Sequence, residues 1–367
     1  MKFVLVSLAL ASAATLTTAT SHELARVPVH RQAKRCTGTI ASLDDVAAAV
    51  KCATVNIKSF TVPAGKTFEL DLADGAVVNL QGDITFGSKS WAGPLMLIQG
   101  KDIRFNGGGH KLDRQGAKLW DALGSNGGVT KPKFFKVKAS GVMDNFTLLN
   151  QPVQGFSVSN PAKLVMSNIV VDVRAGAKLG HNTDAFDISA AKDLTITKAT
   201  IYNQDDCVAI NDGDGITIQD STCTGGHGIS VGSIKSNKTV RNVLIKNNRI
   251  IDNDNGLRIK TYDAQTGASV SGVHYTGNVA TGCKKYGVII QQDYTNEGAT
   301  GKTTVGVPIS GVHFTGDTNT VSVASGAKRV YILCAKGSCS DFDFSNLKTS
   351  GGSAGSITNV SVKNYSL

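Results

Sequence analysis

The 367-residue chain has no apolar run that could span a bilayer as a mature helix. It has no CxxC pair and no Cys/His cluster at metal spacing, which argues against a structural zinc or other metal. Aromatic residues make up only 6%, and no Lys/Arg cluster is interleaved with them, so nucleic acid is a poor partner. No Pro-rich, Ser-rich or charged linker divides the sequence. Helix signals are almost missing, with one exception: "SLDDVAAAVKC", where Ser42 stands at an N-cap and Asp45 at the capping-box distance.

What is present points to export. Residues 1–19 open with Lys2, run through apolar residues Phe3 to Ala14 and end in small residues, the layout of a secretory signal. The dibasic pair Lys34-Arg35 then predicts a propeptide over 20–35 and a mature catalytic chain of 36–367. Removing that leader leaves +6 of the formal net charge of +10, which suits an acidic polymer outside the cell. Seven cysteines in an exported chain imply disulfides plus an odd thiol. Three local pairings are expected, Cys36 with Cys52, Cys207 with Cys223 and Cys334 with Cys339, leaving Cys283 as a buried thiol. Glycosylation sequons at Asn145, Asn237, Asn359 and Asn364 agree with this compartment.

The sequence also repeats. "GFSVSN" (155–160), "AFDISA" (185–190), "CVAIND" (207–212), "GISVGS" (228–233), "GLRIKT" (256–261) and "GVIIQQ" (287–292) share a small residue followed by alternating apolar positions. Such alternation is a short strand with one buried face. The copies are separated by 30, 22, 21, 28 and 31 residues, and second strands such as "DLTITKATIYN" recur between them. Short strands, Gly/Asn/Asp-rich turns and this period predict an all-β chain, a right-handed parallel β-helix solenoid whose N-terminal end is covered by the short helix. A propeller would need longer blades and a leucine-rich horseshoe its own consensus.

Stacking the copies in register aligns Gln154, Asp184, Asp206, His227, Asn255 and Tyr286 in one column, with Asp205 beside it. Neighbouring coils lie about 4.8 Å apart. The columns one and three places after each first apolar residue carry Arg258 and Lys260 outward, on coils just beyond the acids. Carboxylates crowded in this way separate their pKa values, giving an acid and a base for glycosidic hydrolysis. The two cations suit the carboxylate of a uronic acid. "NDGDG" (211–215) lacks the acidic twelfth ligand of a calcium loop, and Ser230 near His227 lacks a nucleophile elbow.

Four motifs, Asn182-Thr-Asp184, Gln204-Asp205-Asp206, Gly225-Gly-His227-Gly and Arg258-Ile-Lys260, together with "YGVIIQQDY" (286–294), resemble the fungal endo-polygalacturonases in order and spacing. The resemblance covers essentially the whole mature chain. It implies endo-acting, inverting hydrolysis of polygalacturonate without a cofactor. Asp205 would be the general acid, Asp184 and Asp206 would activate water, and His227 would support the acid. Asn182, Arg258, Lys260, Gln291 and Tyr294 would contact substrate. We expect a secreted monomer acting on pectin, with no nucleic-acid or membrane partner, and activity peaking on the acidic side of neutrality. The alternatives are a calcium-dependent pectate lyase on the same solenoid and a non-catalytic pectin-binding solenoid.

Overall fold

A computed structural model describes residues 33–367. The expected leader and most of the expected propeptide lie outside the described residues; Lys34 and Arg35 open the exposed first strand, Lys34–Ile40. The strands join one continuous sheet. Pairing is parallel between successive coils, apart from a short antiparallel contact of Tyr286–Thr295 with Gly298–Ala299. The chain is thus a parallel β-helix.

Register follows the apolar alternation. Phe156, Phe186, Val208, Ile229, Leu257 and Val288 are consecutive partners along one face. On a second face the column runs Leu164, Leu194, Ile216, Val243, Val273 and Val312. All of these side chains are buried, and the rings of Phe156 and Phe186 stack with centroids 4.8 Å apart. A one-residue slip would turn each column outward, so burial fixes the register.

The corner after the second face shows how turn residues permit the coil to repeat. Asn168, Lys198, Asp220 and Asn247 all occupy the left-handed region, with φ between 50 and 55°. Asn and Asp tolerate that conformation because their short polar side chains bond locally. The next residue points inward, and in three successive coils it is Asn248, Asn278 and Asn319, all fully buried. Asn278 Oδ1 accepts from the Asn248 N–H and Nδ2, both at 3.1 Å, while its own Nδ2 donates to the Ile245 carbonyl and to Asn319 Oδ1, both at 2.8 Å. Asn278→Ala strands several buried polar groups at once. We expect it to lower unfolding stability by about 3 kcal/mol, read from urea midpoints.

The N-terminal helix is short, as expected. A 3-10 turn, Leu43–Asp45, leads into Val46–Ala49, and the strand Cys52–Ile57 begins directly after. The Asp45 carboxylate accepts from the N–H groups of Ala41 and Ser42 at 2.9 Å, so the capping signal read in the sequence is used. The Cys36–Cys52 disulfide, Cα atoms 4.9 Å apart, draws the chain back into the sheet before a longer helix can form. Cys207–Cys223 and Cys334–Cys339 are also bonded, and Cys283 is a buried free thiol that burial pushes up to about 12. Among the described residues no helix is long and apolar enough to cross a membrane.

Candidate active site

The turns that precede four neighbouring strands converge on one groove. Asp187, Ala209, Ser230, Arg258 and Ile289 are register partners across its floor. The groove encloses about 660 Å³ and is lined by the acids, His227, Arg258, Lys260, Gln291 and Tyr294.

Adjacent Asp205 and Asp206 are fixed by Asn203, a buried residue to which the sequence reading gave no role. Its Nδ2 donates to the carbonyls of Thr183, Asp205 and Asp206 at 3.1, 2.9 and 2.9 Å. The Thr183 hydroxyl donates to Gln204 Oε1 at 3.0 Å and accepts from the Gln204 N–H at 2.9 Å, tying the Asn-Thr-Asp and Gln-Asp-Asp turns together. Both carbonyls of the acid pair are thus bound from within, which leaves the two carboxylates for the groove. The next turn closes over them because Gly226 has no side chain; a Cβ there would overlap the Asp205 carbonyl and the Asn203 amide oxygen.

Each carboxylate then meets different partners. Asp205 Oδ1 accepts from the Asp206 N–H at 2.7 Å and lies 2.9 Å from His227 Nδ1. Its Oδ2 accepts from Asn182 Nδ2 at 3.1 Å. Asp206, 1% exposed, accepts from the Ser230 hydroxyl at 2.8 Å and from Lys260 Nζ at 2.6 Å. Ser230, which suggested a triad only by its place near His227, therefore serves the second acid. His227 Nε2 faces Asp254 Oδ2 at 3.7 Å, and Asp254 is held in turn by Lys285 at 2.8 Å.

One expectation changes, and two others gain detail. Lys260 was expected to point to the outer side, but it is 5% exposed and paired with Asp206, because the acid column needs a counter-charge when water is excluded. Tyr294 lies 5.1 Å from the Arg258 guanidinium and 4.9 Å from Lys260 Nζ, so its ring face holds both cations. Gln291 donates to Asp293 at 2.9 Å and meets Arg258 only at 3.5 Å, on the floor beside the cations.

Ionisation of the free groove follows from these contacts. Burial pushes the Asp184 carboxyl well above its ordinary value, reinforced by Asp205, Asp187 and Asp206, with Lys260 offsetting only part. Burial would also raise Asp205, but the bond and charge of His227, then Lys260 and the Asp206 N–H, outweigh it and hold the carboxyl down at about 2. Burial lowers His227, yet Asp205 and the acids behind it prevail and raise it. These shifts favour ionised Asp205 beside charged His227, 2.9 Å away, in the free groove, and burial favours the neutral form of Asp184. Asp187, which received no role from the sequence, is raised to about 7, chiefly by burial, opposed by Lys133 and reinforced by Asp206 and Asp205. The signal for it was present, since it shares the Arg258 column.

Oxygen and nitrogen atoms of Asp205, Asp206 and His227 lie within 4.8 Å of one another, close enough to suggest a metal. Their partners argue otherwise: His227 already serves Asp205, and the Lys260 ammonium stands where a hard cation would have to bind Asp206.

Residues 52–366 match the model of glycosyl hydrolases family 28. The chain belongs to that family. Among curated relatives, Endopolygalacturonase B of Emericella nidulans is 45% identical over 323 residues, covering 86% of this chain and 87% of its own. The endo-polygalacturonase of Sclerotinia sclerotiorum is 44% identical, with 84% and 83% covered. A solved structure, endopolygalacturonase I from Stereum purpureum complexed with two galacturonate, superposes with a TM-score of 0.84 at 43% identity, covering 89% of this chain and 98% of that one.

Proposed function

We propose that the protein is an endo-polygalacturonase, hydrolysing α-1,4-galacturonosyl linkages within polygalacturonate by acid/base catalysis with inversion. The observation that carries the reading is the pairing of two adjacent acids with opposite equipment: Asp205 against His227, Asp206 against Ser230 and Lys260. Membership of family 28 and the endopolygalacturonase relatives support the substrate.

In this mechanism Arg258, whose Nε is buried without a protein partner, binds the uronate carboxylate. Lys260 contributes its N–H groups not used by Asp206. As the glycosidic oxygen approaches, Asp205 recovers the His227 proton across 2.9 Å and delivers it to the leaving oxygen. Asp206 and Asp184 orient a water, and the proton that water loses goes to Asp206 as its oxygen bonds to the anomeric carbon. One bond to carbon breaks, one forms, and the proton count balances. Carboxyls set close together are more usual for retaining enzymes. Asp206 suits water better than carbon here, because both of its oxygens are already bound and it is almost fully buried.

Elimination would call for calcium held by oxygen ligands. A groove whose carboxylates are engaged by an imidazole and an ammonium favours hydrolysis instead, and a simple binder has no use for an acid beside a base. We further propose that the chain is exported with residues 1–35 removed, that 36–367 act as a single catalytic domain and a monomer, and that sugars occupy exposed sequons at Asn145, Asn237, Asn359 and Asn364. The test is a digest of polygalacturonate in chelator, followed by viscosity, reducing ends and ultraviolet absorbance. A steep viscosity fall with few new ends and no absorbance is expected. Absorbance from an unsaturated product would mean elimination, and slow viscosity loss with many ends would mean exo-action.

A further inference from the structure

The resemblance makes Asn182 a substrate contact, yet both ends of its amide are engaged within the protein. Its Oδ1 accepts from the N–H and from the hydroxyl of Ser125, each at 3.1 Å, and its Nδ2 donates to Asp205 Oδ2 at 3.1 Å. Because Oδ1 sits between two donors, the amide can face only one way, with its nitrogen toward the acid. Ser125 comes from the loop 121–131, far from Asn182 in sequence and held by its own clip. The buried Lys131 ammonium bonds Asp121 at 2.7 Å and the carbonyls of Gly124 and Val129 at 3.0 and 3.1 Å. Gly124 has φ +57°, and a Cβ on it would collide with Asn182 Oδ1, so the loop is shaped for this approach.

We propose that Ser125 and Asn182 form a brace in which the clipped loop orients the Asn182 amide, and the amide fixes the Asp205 carboxylate for proton delivery. Both are positioning residues: they act through Asp205, and their contribution belongs to the chemical step and not to the hold on the polymer. The proposal rests on Asp205 as the general acid. It gives the loop 121–131, which otherwise forms part of the groove rim through Ser125 and Asn126, a specific connection to catalysis.

A double-mutant cycle tests the brace. Asn182→Ala is expected to lower kcat on the order of 10- to 100-fold and Ser125→Ala about fivefold, because the backbone N–H of Ser125 remains, with KM changed less than about twofold in each. With a donor to ionised Asp205 lost or loosened, the alkaline limb of the kcat/KM profile moves to higher pH in both variants. In the Asn182→Ala background Ser125→Ala should have no further effect, and Ser125→Thr, which keeps the hydroxyl, should retain the parent rate in the otherwise unchanged chain. Additive losses, or losses confined to KM with an unmoved pH profile, would overturn the brace. Full activity of Asp205→Asn would instead remove the reading on which it rests, so the two failures are distinguishable.

Discussion

Asp205→Asn lowers kcat on polygalacturonate by roughly 10³-fold, with KM little changed, because the asparagine keeps the shape of the turn but has no proton to give. The same variant regains most of the parental rate on an oligogalacturonide with an activated aryl leaving group, since a good leaving group departs without protonation. Asp206→Asn should be impaired on both substrates, because water must still be activated. The comparison also decides between the two protonatable carboxyls. Burial favours the neutral form of Asp184, and were it the donor, the aryl substrate would rescue Asp184→Asn and not Asp205→Asn. Parental activity of Asp205→Asn on the polymer would refute the assignment altogether.

The coil register was legible because it depends on alternation, and alternation is written residue by residue. Phe186, Val208, Ile229 and Leu257 pair as the repeat predicts, and the neighbours of those strands follow. The convergence of Asp184, Asp205, Asp206 and His227 followed from the same register. Side-chain partners were less legible. Nothing in the repeat says that Lys260 reaches back across a coil to Asp206, a contact set by the charge left when the acids are buried. Nor does it announce Asn203, whose work is done through backbone carbonyls. Ser125 lies in an irregular loop with no period, and only the fold brings it to Asn182. The upward shift of His227 is a property of the assembled cluster, absent from any residue alone.

Asp187→Asn should stabilise the fold at about pH 8 by about 2–4 kcal/mol and leave it nearly unchanged at about pH 4, measured by urea unfolding at both values. Asp187 has its folded value raised from 3.8 to about 7, so the folded chain binds this proton more tightly than the unfolded one. Its contribution is complete below the unfolded value and is lost as pH rises through about 7, where a partly buried carboxylate is left among Asp184, Asp205 and Asp206. Asparagine cannot acquire that charge. An equal gain at both pH values would trace the effect to packing, and a loss at the higher pH would mean that Lys133 pairs with Asp187 strongly enough to keep it ionised. The same charge bears on substrate: above about pH 7 a further negative group on the groove floor repels a polyanion, so KM should climb in the parent and climb less in the variant. Protonated, Asp187 can instead donate to a uronate oxygen, so this acid is compatible with tight binding only below about pH 7.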